Sequence, residues 1–164
     1  MPLTLINLVG LLLFLIGLIF MFLVVPYPRI RELFWIGMLG GFGISLLLIY
    51  TMQNVLGFWI FRNIDLVSVA GVPLFISLSW FPFIIAFSHL LAQYENVMLV
   101  SLLLLAFPLG FVLLHALFLN SLALIYINWN LYLTFFLALI IHLFLALYLF
   151  ATGRLDNFKN VETP

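Results

Sequence analysis

Uninterrupted runs of apolar residues make up most of the chain. A helix needs about 20 apolar residues to cross the hydrocarbon core of a bilayer. Because these runs are continuous rather than alternating, they predict membrane-spanning helices and not the strands of a barrel. We expect five spans, at about 3–25, 33–51, 73–92, 97–119 and 130–151.

Short polar segments separate these runs. The segment 26–29, Pro-Tyr-Pro-Arg, ends the first span because each proline lacks an N–H group and restricts the residue before it. The segment 93–96, Gln-Tyr-Glu-Asn, is a tight turn that makes an antiparallel hairpin of the third and fourth spans. The sequence therefore predicts a single all-α transmembrane bundle, residues 1–152, followed by a short polar tail, residues 153–164.

Residues 52–72 do not fit a span. They include aromatic side chains such as Phe58 and Trp59, but also Arg62 and Asp65. Such a mixture is typical of a segment that lies in the membrane–water interface. A re-entrant segment is the alternative, provided that neighbouring helices bury its backbone.

Composition narrows the class of protein. Of the 164 residues, 68% are hydrophobic and 6% are charged, against about 25% charged residues in a soluble domain. This excludes a soluble globular domain, a disordered chain and a nucleic-acid-binding protein with a basic surface. The chain has no cysteine, which excludes disulfides and thiolate metal sites. We expect a multi-pass protein of a cell membrane, with the lipid bilayer as its solvent.

The basic residues predict an orientation. Arg29, Arg31, Arg154 and Lys159 fall on one side of a five-span bundle, and Arg62 falls on the other. Because cytoplasmic segments carry the excess of basic residues, the amino terminus is expected outside and the carboxyl terminus inside. Short loops and the lack of a targeting signal favour the cytoplasmic membrane of a prokaryote.

The spans contain three histidines but no Asp, Glu, Lys or Arg near their middle. This argues against a proton-coupled pump or a voltage sensor. His89, His115 and His142 lie at three different depths, whereas ligands of one metal ion must converge to about 2 Å from it. We therefore expect no metal site and no cofactor. Each imidazole is expected to bond to a neighbouring helix, with a proton or headgroup role as the alternative.

The third span is the most polar. It contains Ser77, Trp80, Ser88 and His89, of which the first three lie close to one face at helical spacing. These side chains are expected to bond to other helices or to carbonyl groups that Pro82 leaves free. A site for a lipid or isoprenoid headgroup is the alternative, and the other two histidines are further candidates for it.

Glycines form small-residue surfaces on the first two spans. Gly37 and Gly41 are four residues apart on the second span, and Gly10 and Gly17 are one heptad apart on the first. Such surfaces allow the close approach of another helix. We expect them to pack the first two spans together, with the seam of a homodimer as the alternative.

One stretch resembles a known family. Residues 69–81, Val-Ala-Gly-Val-Pro-Leu-Phe-Ile-Ser-Leu-Ser-Trp-Phe, are similar to a segment of carotenoid-biosynthesis membrane proteins of the hydratase type, in which Gly-Val-Pro-Leu leads into an apolar helix with an early Trp. Those proteins are longer and have more spans. The resemblance implies an apolar, isoprenoid-like ligand. The acidic residues expected of an isoprenoid hydratase have no counterpart inside the spans. The resemblance therefore implies no catalytic residue for this chain.

Three functions are compatible with these observations. A small non-enzymatic accessory or assembly protein fits the uncharged spans and the glycine surfaces best, and predicts association with itself or with a larger membrane partner. A binder or modifying enzyme of lipids or isoprenoids would use the polar residues of the third span. An oligomeric transporter or channel for small solutes is the third function, although five spans are few for a transporter. No nucleic acid is expected as a partner.

Overall fold

Five helices and four short strands make up the part of the chain that the computed structural model describes, residues 5–62, 64–94 and 96–153. The helices, in order, are α1 at Val9–Val24, α2 at Tyr27–Val55, α3 at Leu74–Gln93, α4 at Val97–Asn120 and α5 at Leu131–Ala151. Helices α2 to α5 are long and apolar enough to cross a membrane, and α1 is a shorter apolar helix of 16 residues. A 3-10 turn at Leu5–Leu8 precedes α1.

Helix α2 is longer than the sequence predicts. The prediction places it at 33–51, but it covers 29 residues. Pro28 lies in its first turn, where the missing N–H group of a proline is not needed. The proline-rich segment therefore starts α2 as well as ending α1. Residues 52–55, predicted as part of an interfacial segment, are the last turn of this helix. The predicted tail lies outside the described residues from 154 onward.

Helix α3 is the centre of the bundle. Thirteen of its 20 residues are buried, against three of the 24 residues of α4. Helix α1 runs parallel to α3, since Phe14 lies beside Phe75 and Phe20 lies beside Phe83. Helices α2 and α4 run antiparallel to α3, and α5 packs mainly on α4. The chain therefore passes up and down around its third helix.

Three of the four glycines singled out in the sequence face α3. A Cβ atom on Gly17 would come within 2.8 Å of Pro82, and one on Gly41 within 2.8 Å of the Trp80 carbonyl oxygen. Gly37 faces the side chain of Ile85 in the same way, whereas Gly10 faces Asp65. The glycines therefore do not pack α1 against α2 as expected, because Gly17, Gly37 and Gly41 approach α3 instead.

A small layer of strands closes one end of the bundle, and we call it the cap layer. It contains β1 at Trp59–Phe61, β2 at Ser68–Val69, β3 at Val72–Pro73 and β4 at Leu124–Tyr126. Strand β1 pairs antiparallel with β4, with Trp59 opposite Tyr126, and β2 pairs antiparallel with β3. The cap layer thus connects the segment after α2 to the segment between α4 and α5.

Side chains from α2 hold the β2–β3 hairpin in place. Its turn residues, Ala70 and Gly71, both have positive φ angles, 51° and 79°, as a tight hairpin turn requires. Gln53 Nε2 donates to the Gly71 carbonyl at 2.8 Å, and Asn54 Nδ2 donates to the Ala70 carbonyl at 2.9 Å. The polar end of α2 therefore fixes the position of the segment that leads into α3.

Asp65 caps the start of α3. Its Oδ2 accepts hydrogen bonds from the backbone N–H groups of Phe75 and Ile76, at 2.5 and 3.0 Å, and its Oδ1 accepts from Leu66 N–H at 2.9 Å. The carboxylate also touches Gly10, where a Cβ atom would lie 2.8 Å from Asp65 Cγ. The cap of α3 therefore also seats the first turn of α1.

The close contact at Gly41 gives a direct test of the packing on α3. A Cβ atom there meets backbone atoms of Trp80 and Phe81 at 2.8 to 3.0 Å, which cannot rotate away. We expect Gly41→Ala to lower the free energy of unfolding by about 1–3 kcal/mol, as overpacking does. Gly110→Ala is the matched control, because nothing lies within 4 Å of that position. Equal melting temperatures for the two variants in detergent would contradict this packing.

Asp65 also predicts a pH dependence. Burial raises the pKa of its carboxyl, against smaller opposing effects of the Ile76 and Phe75 N–H groups. The folded chain therefore binds the proton more tightly than the unfolded chain, and this group contributes less stability as pH rises above its ordinary pKa of 3.8. We expect the melting temperature of the parent protein to exceed that of Asp65→Asn by less and less as pH rises above that value. A difference that grows with pH would mean that the pKa is lowered instead.

Candidate functional site

A cavity lies beneath the cap layer, where all five helices come together. Its volume is about 40 Å³. Each helix contributes to its lining, with Leu13 from α1, Ile49 from α2, Trp80 from α3, His115 from α4 and Ala138 from α5. Trp59 and Phe61 of strand β1 close it from the cap side. Every section of the fold therefore contributes to this one space.

A chain of hydrogen bonds leads from the cap layer to this cavity. Trp129 Nε1–H donates to Thr134 Oγ1 at 2.9 Å, and Thr134 Oγ1 lies 2.6 Å from the Tyr126 hydroxyl. The Tyr126 hydroxyl lies 2.6 Å from His115 Nδ1. Burial raises the pKa of the Tyr126 hydroxyl, against a smaller opposing effect of its bond to Thr134. At neutral pH, Tyr126 is therefore a neutral phenol that both donates and accepts.

Trp59 is held by other rings on several sides. Its ring is edge-on to His115, with centroids 5.7 Å apart, and edge-on to Trp129, with centroids 5.2 Å apart. Only 2% of Trp59 is exposed, yet its Nε1 atom has no hydrogen-bond partner in the described part of the chain. A buried N–H group without an acceptor is rare in folded proteins. Trp59 is therefore the polar group of this site that calls for an explanation.

A larger groove lies along the outside of the bundle, between α2 and α5. Its volume is about 550 Å³, and Ile141 lines both spaces. Ile36 and Leu145 form its buried floor, while Trp35 and Phe144 stand exposed at its rim. Among the described residues, no charged side chain lines the cavity or the groove. Gly40 contributes to the groove because it has no side chain to fill it.

The structure brings together only some of the residues singled out in the sequence. Trp80 and His115 line the cavity, and Trp80 stacks on Phe111 with ring centroids 4.4 Å apart. Ser77 donates to the carbonyl of Pro73, the residue just before its helix, at 3.0 Å. Ser88 and His89 lie further along α3 and do not line the cavity.

His142 lies apart from His115, in an aromatic pocket. Its ring is edge-on to Phe87 at 4.9 Å and also contacts Phe107 and Phe111. Its Nδ1–H donates to the Ala138 carbonyl at 2.7 Å. The described residues contain no group of three or more His, Asp or Glu side chains that could hold a metal ion.

Sequence reasoning missed three residues of this site: Trp59, Tyr126 and Thr134. Trp59 was assigned to an interfacial segment because of its aromatic neighbours, whereas its ring is buried beneath the cap layer. Tyr126 reaches His115 only because β4 pairs with β1, and no local sequence pattern predicts that pairing.

Comparisons with known proteins add no identity to this geometry. No family model matches the chain, and neither a curated protein nor a solved structure is similar to it. The function therefore has to be argued from the site itself.

Proposed function

We propose that this chain is an integral membrane protein with five spans, its amino terminus outside and its carboxyl terminus inside. The supporting observation is that large apolar side chains are exposed along every helix. The helix directions place the cap layer, with Arg62, at one end and Arg29 and Arg31 at the other, so the excess of basic residues marks the cytoplasmic end. Residues 56–73 of the cap layer would then lie at the outer interface.

Within that bundle, the groove between α2 and α5 binds a long apolar molecule of the isoprenoid or lipid type. The observation that carries this proposal is an uncharged groove of about 550 Å³ that borders the cavity beneath the cap layer at Ile141. Ligand sites in proteins are apolar spaces of similar volume with a few placed polar groups. The groove provides the apolar length, and the cavity provides the polar groups.

The groove has the shape expected for a chain rather than a compact ligand. From Trp35 at its far end to Ile49 in the cavity it follows α2, which corresponds to about 20 Å at 1.5 Å per residue. Its walls are side chains of α2 and α5, with Gly40 facing Leu145. A flexible apolar tail would fill this space.

A photoreactive probe tests this proposal. The protein is reconstituted in nanodiscs with a diazirine-labelled isoprenoid hydrocarbon, and the labelled peptides are identified by mass spectrometry. We expect labelling to concentrate on the α5 side of the groove, near Ile141 and Phe144. Gly40→Phe should reduce it about tenfold, because this side chain fills the groove; tenfold corresponds to about 1.4 kcal/mol of binding free energy.

Gly110→Phe is the matched control. Gly110 lines a different apolar groove, of about 270 Å³, in which Phe20 and Phe83 face α4. This variant should leave the labelling near Ile141 unchanged. Labelling spread evenly over the exposed faces of all helices would mean that the groove is ordinary lipid-facing surface, and would refute the proposal.

An accessory or assembly protein is the second candidate, and helix α4 favours it. Only three of the 24 residues of α4 are buried, and exposed apolar side chains recur at every third or fourth position: Met98, Leu102, Leu105, Leu109, Leu113 and Leu117. Such a face suits packing against another helix. It would be provided by a second copy of the chain or by a larger membrane partner.

Native mass spectrometry in mild detergent decides between the two candidates. A monomer that retains one discrete apolar molecule is the result expected from the groove. A dimer, or a complex with a larger protein, without such a molecule would instead support the accessory function.

A further inference from the structure

Resting on the proposed function, we infer that the molecule in the groove is a neutral long-chain alcohol, whose hydroxyl group occupies the cavity between Trp59 and His115. The inference depends on which polar groups of the cavity lack a partner and on the direction of the hydrogen bonds behind them.

The first of these groups is the Trp59 indole. Its Nε1–H is a donor that never accepts, it is buried, and it has no acceptor among the described residues. Leaving a buried donor unsatisfied costs about 1–3 kcal/mol. Trp59 is one of the residues that line the cavity, and an oxygen atom at hydrogen-bond distance from its Nε1 would remove that cost.

The second group is His115 Nε2, and its state follows from the hydrogen-bond chain. Thr134 Oγ1 accepts from Trp129, and its single proton goes to the Asn130 carbonyl at 3.2 Å. The contact between Thr134 and Tyr126 is then a hydrogen bond only if the Tyr126 O–H donates. Tyr126 in turn must accept from His115, which places the imidazole proton on Nδ1. This is the one arrangement that makes all four contacts hydrogen bonds, and it leaves Nε2 as a free acceptor.

Two residues that line the same cavity therefore have an unpartnered group, a donor on Trp59 and an acceptor on His115. A hydroxyl group matches both, since it accepts from Trp59 Nε1–H and donates to His115 Nε2. A carbonyl group would satisfy Trp59 alone. A carboxylate or an ammonium group would be a buried charge without a counter-ion, because no charged residue lines the cavity.

The size of the cavity selects the end of a molecule rather than a whole one. Its volume of about 40 Å³ holds roughly three water-sized groups. The apolar remainder of the ligand must therefore lie elsewhere. The groove at Gly110 also borders the cavity, at Phe111 and Leu114, but the groove between α2 and α5, which borders it at Ile141, has about twice the volume, 550 against 270 Å³. The structure does not distinguish an isoprenoid alcohol from a straight-chain one, so the experiment uses both.

The test is a competition experiment in nanodiscs against the diazirine-labelled hydrocarbon. The competitors are geranylgeraniol and octadecanol, each compared with a hydrocarbon of the same chain. We expect each alcohol to compete about tenfold more strongly than its hydrocarbon, which corresponds to about 1.4 kcal/mol. In Trp59→Phe this preference should fall close to one, while the hydrocarbons compete as before. Tyr132→Phe, an exposed residue outside both spaces, should retain the preference.

NMR of isotope-labelled indole groups gives a second readout that a misfolded variant cannot imitate. The signal of Trp59 N–H, assigned by its loss in Trp59→Phe, should move downfield with either alcohol and stay in place with either hydrocarbon. A preference for only one alcohol identifies the chain type and supports the inference.

Two results would overturn the inference while leaving the proposed function intact. One is labelling of the groove with equal competition by alcohols and hydrocarbons. The other is a Trp59 signal that both alcohols leave unchanged, which would mean that water alone fills the cavity. Loss of labelling in the groove itself would instead refute the proposed function.

Discussion

The close approach of α1 and α2 to α3 is the constraint on which the rest of the structure depends. Apolar helices in lipid gain little from burying more apolar surface, so packing must hold them together. Here a carbonyl oxygen of α3 stands 2.8 Å from the Cβ position of Gly41, and Pro82 stands equally close to that of Gly17. With one side of α3 occupied in this way, α4 and α5 cover the other, and the cavity lies where both halves meet the cap layer.

Polar groups reach into this apolar body at the end closed by the cap layer. Asp65 bonds the start of α3, Tyr126 bonds His115, and Ser77 uses the Pro73 carbonyl. Deeper in the bundle, His142 uses a carbonyl of its own helix. The unsatisfied indole of Trp59 stands at the boundary between these two regions, which is where a ligand that is polar at one end and apolar along its length would be recognised.

The helices could be predicted from the sequence because each is a continuous apolar run, and the predicted positions of the last three agree with the structure to within a few residues. The predicted start of α2 is too late, because a proline can occupy the first turn of a helix as well as end the helix before it. The cap layer was missed for a different reason. Strand β1 is only three residues long and its partner β4 lies beyond two helices, so neither has a local signal. Trp80 and His115 were found by residue type, whereas Trp59, Tyr126 and Thr134 depended on that pairing.

The same pairing has a consequence for the order in which the protein matures. Strand β1 leaves the ribosome long before β4, and α3 and α4 must be synthesised in between. Contacts so distant in sequence form late in folding. Until β4 and α5 are made, Trp59 has neither Tyr126 nor Trp129 beside it, and the cavity lacks the wall that α5 provides. The site would thus become able to bind a ligand only after most of the chain is synthesised, so a bound ligand would indicate a completely folded molecule.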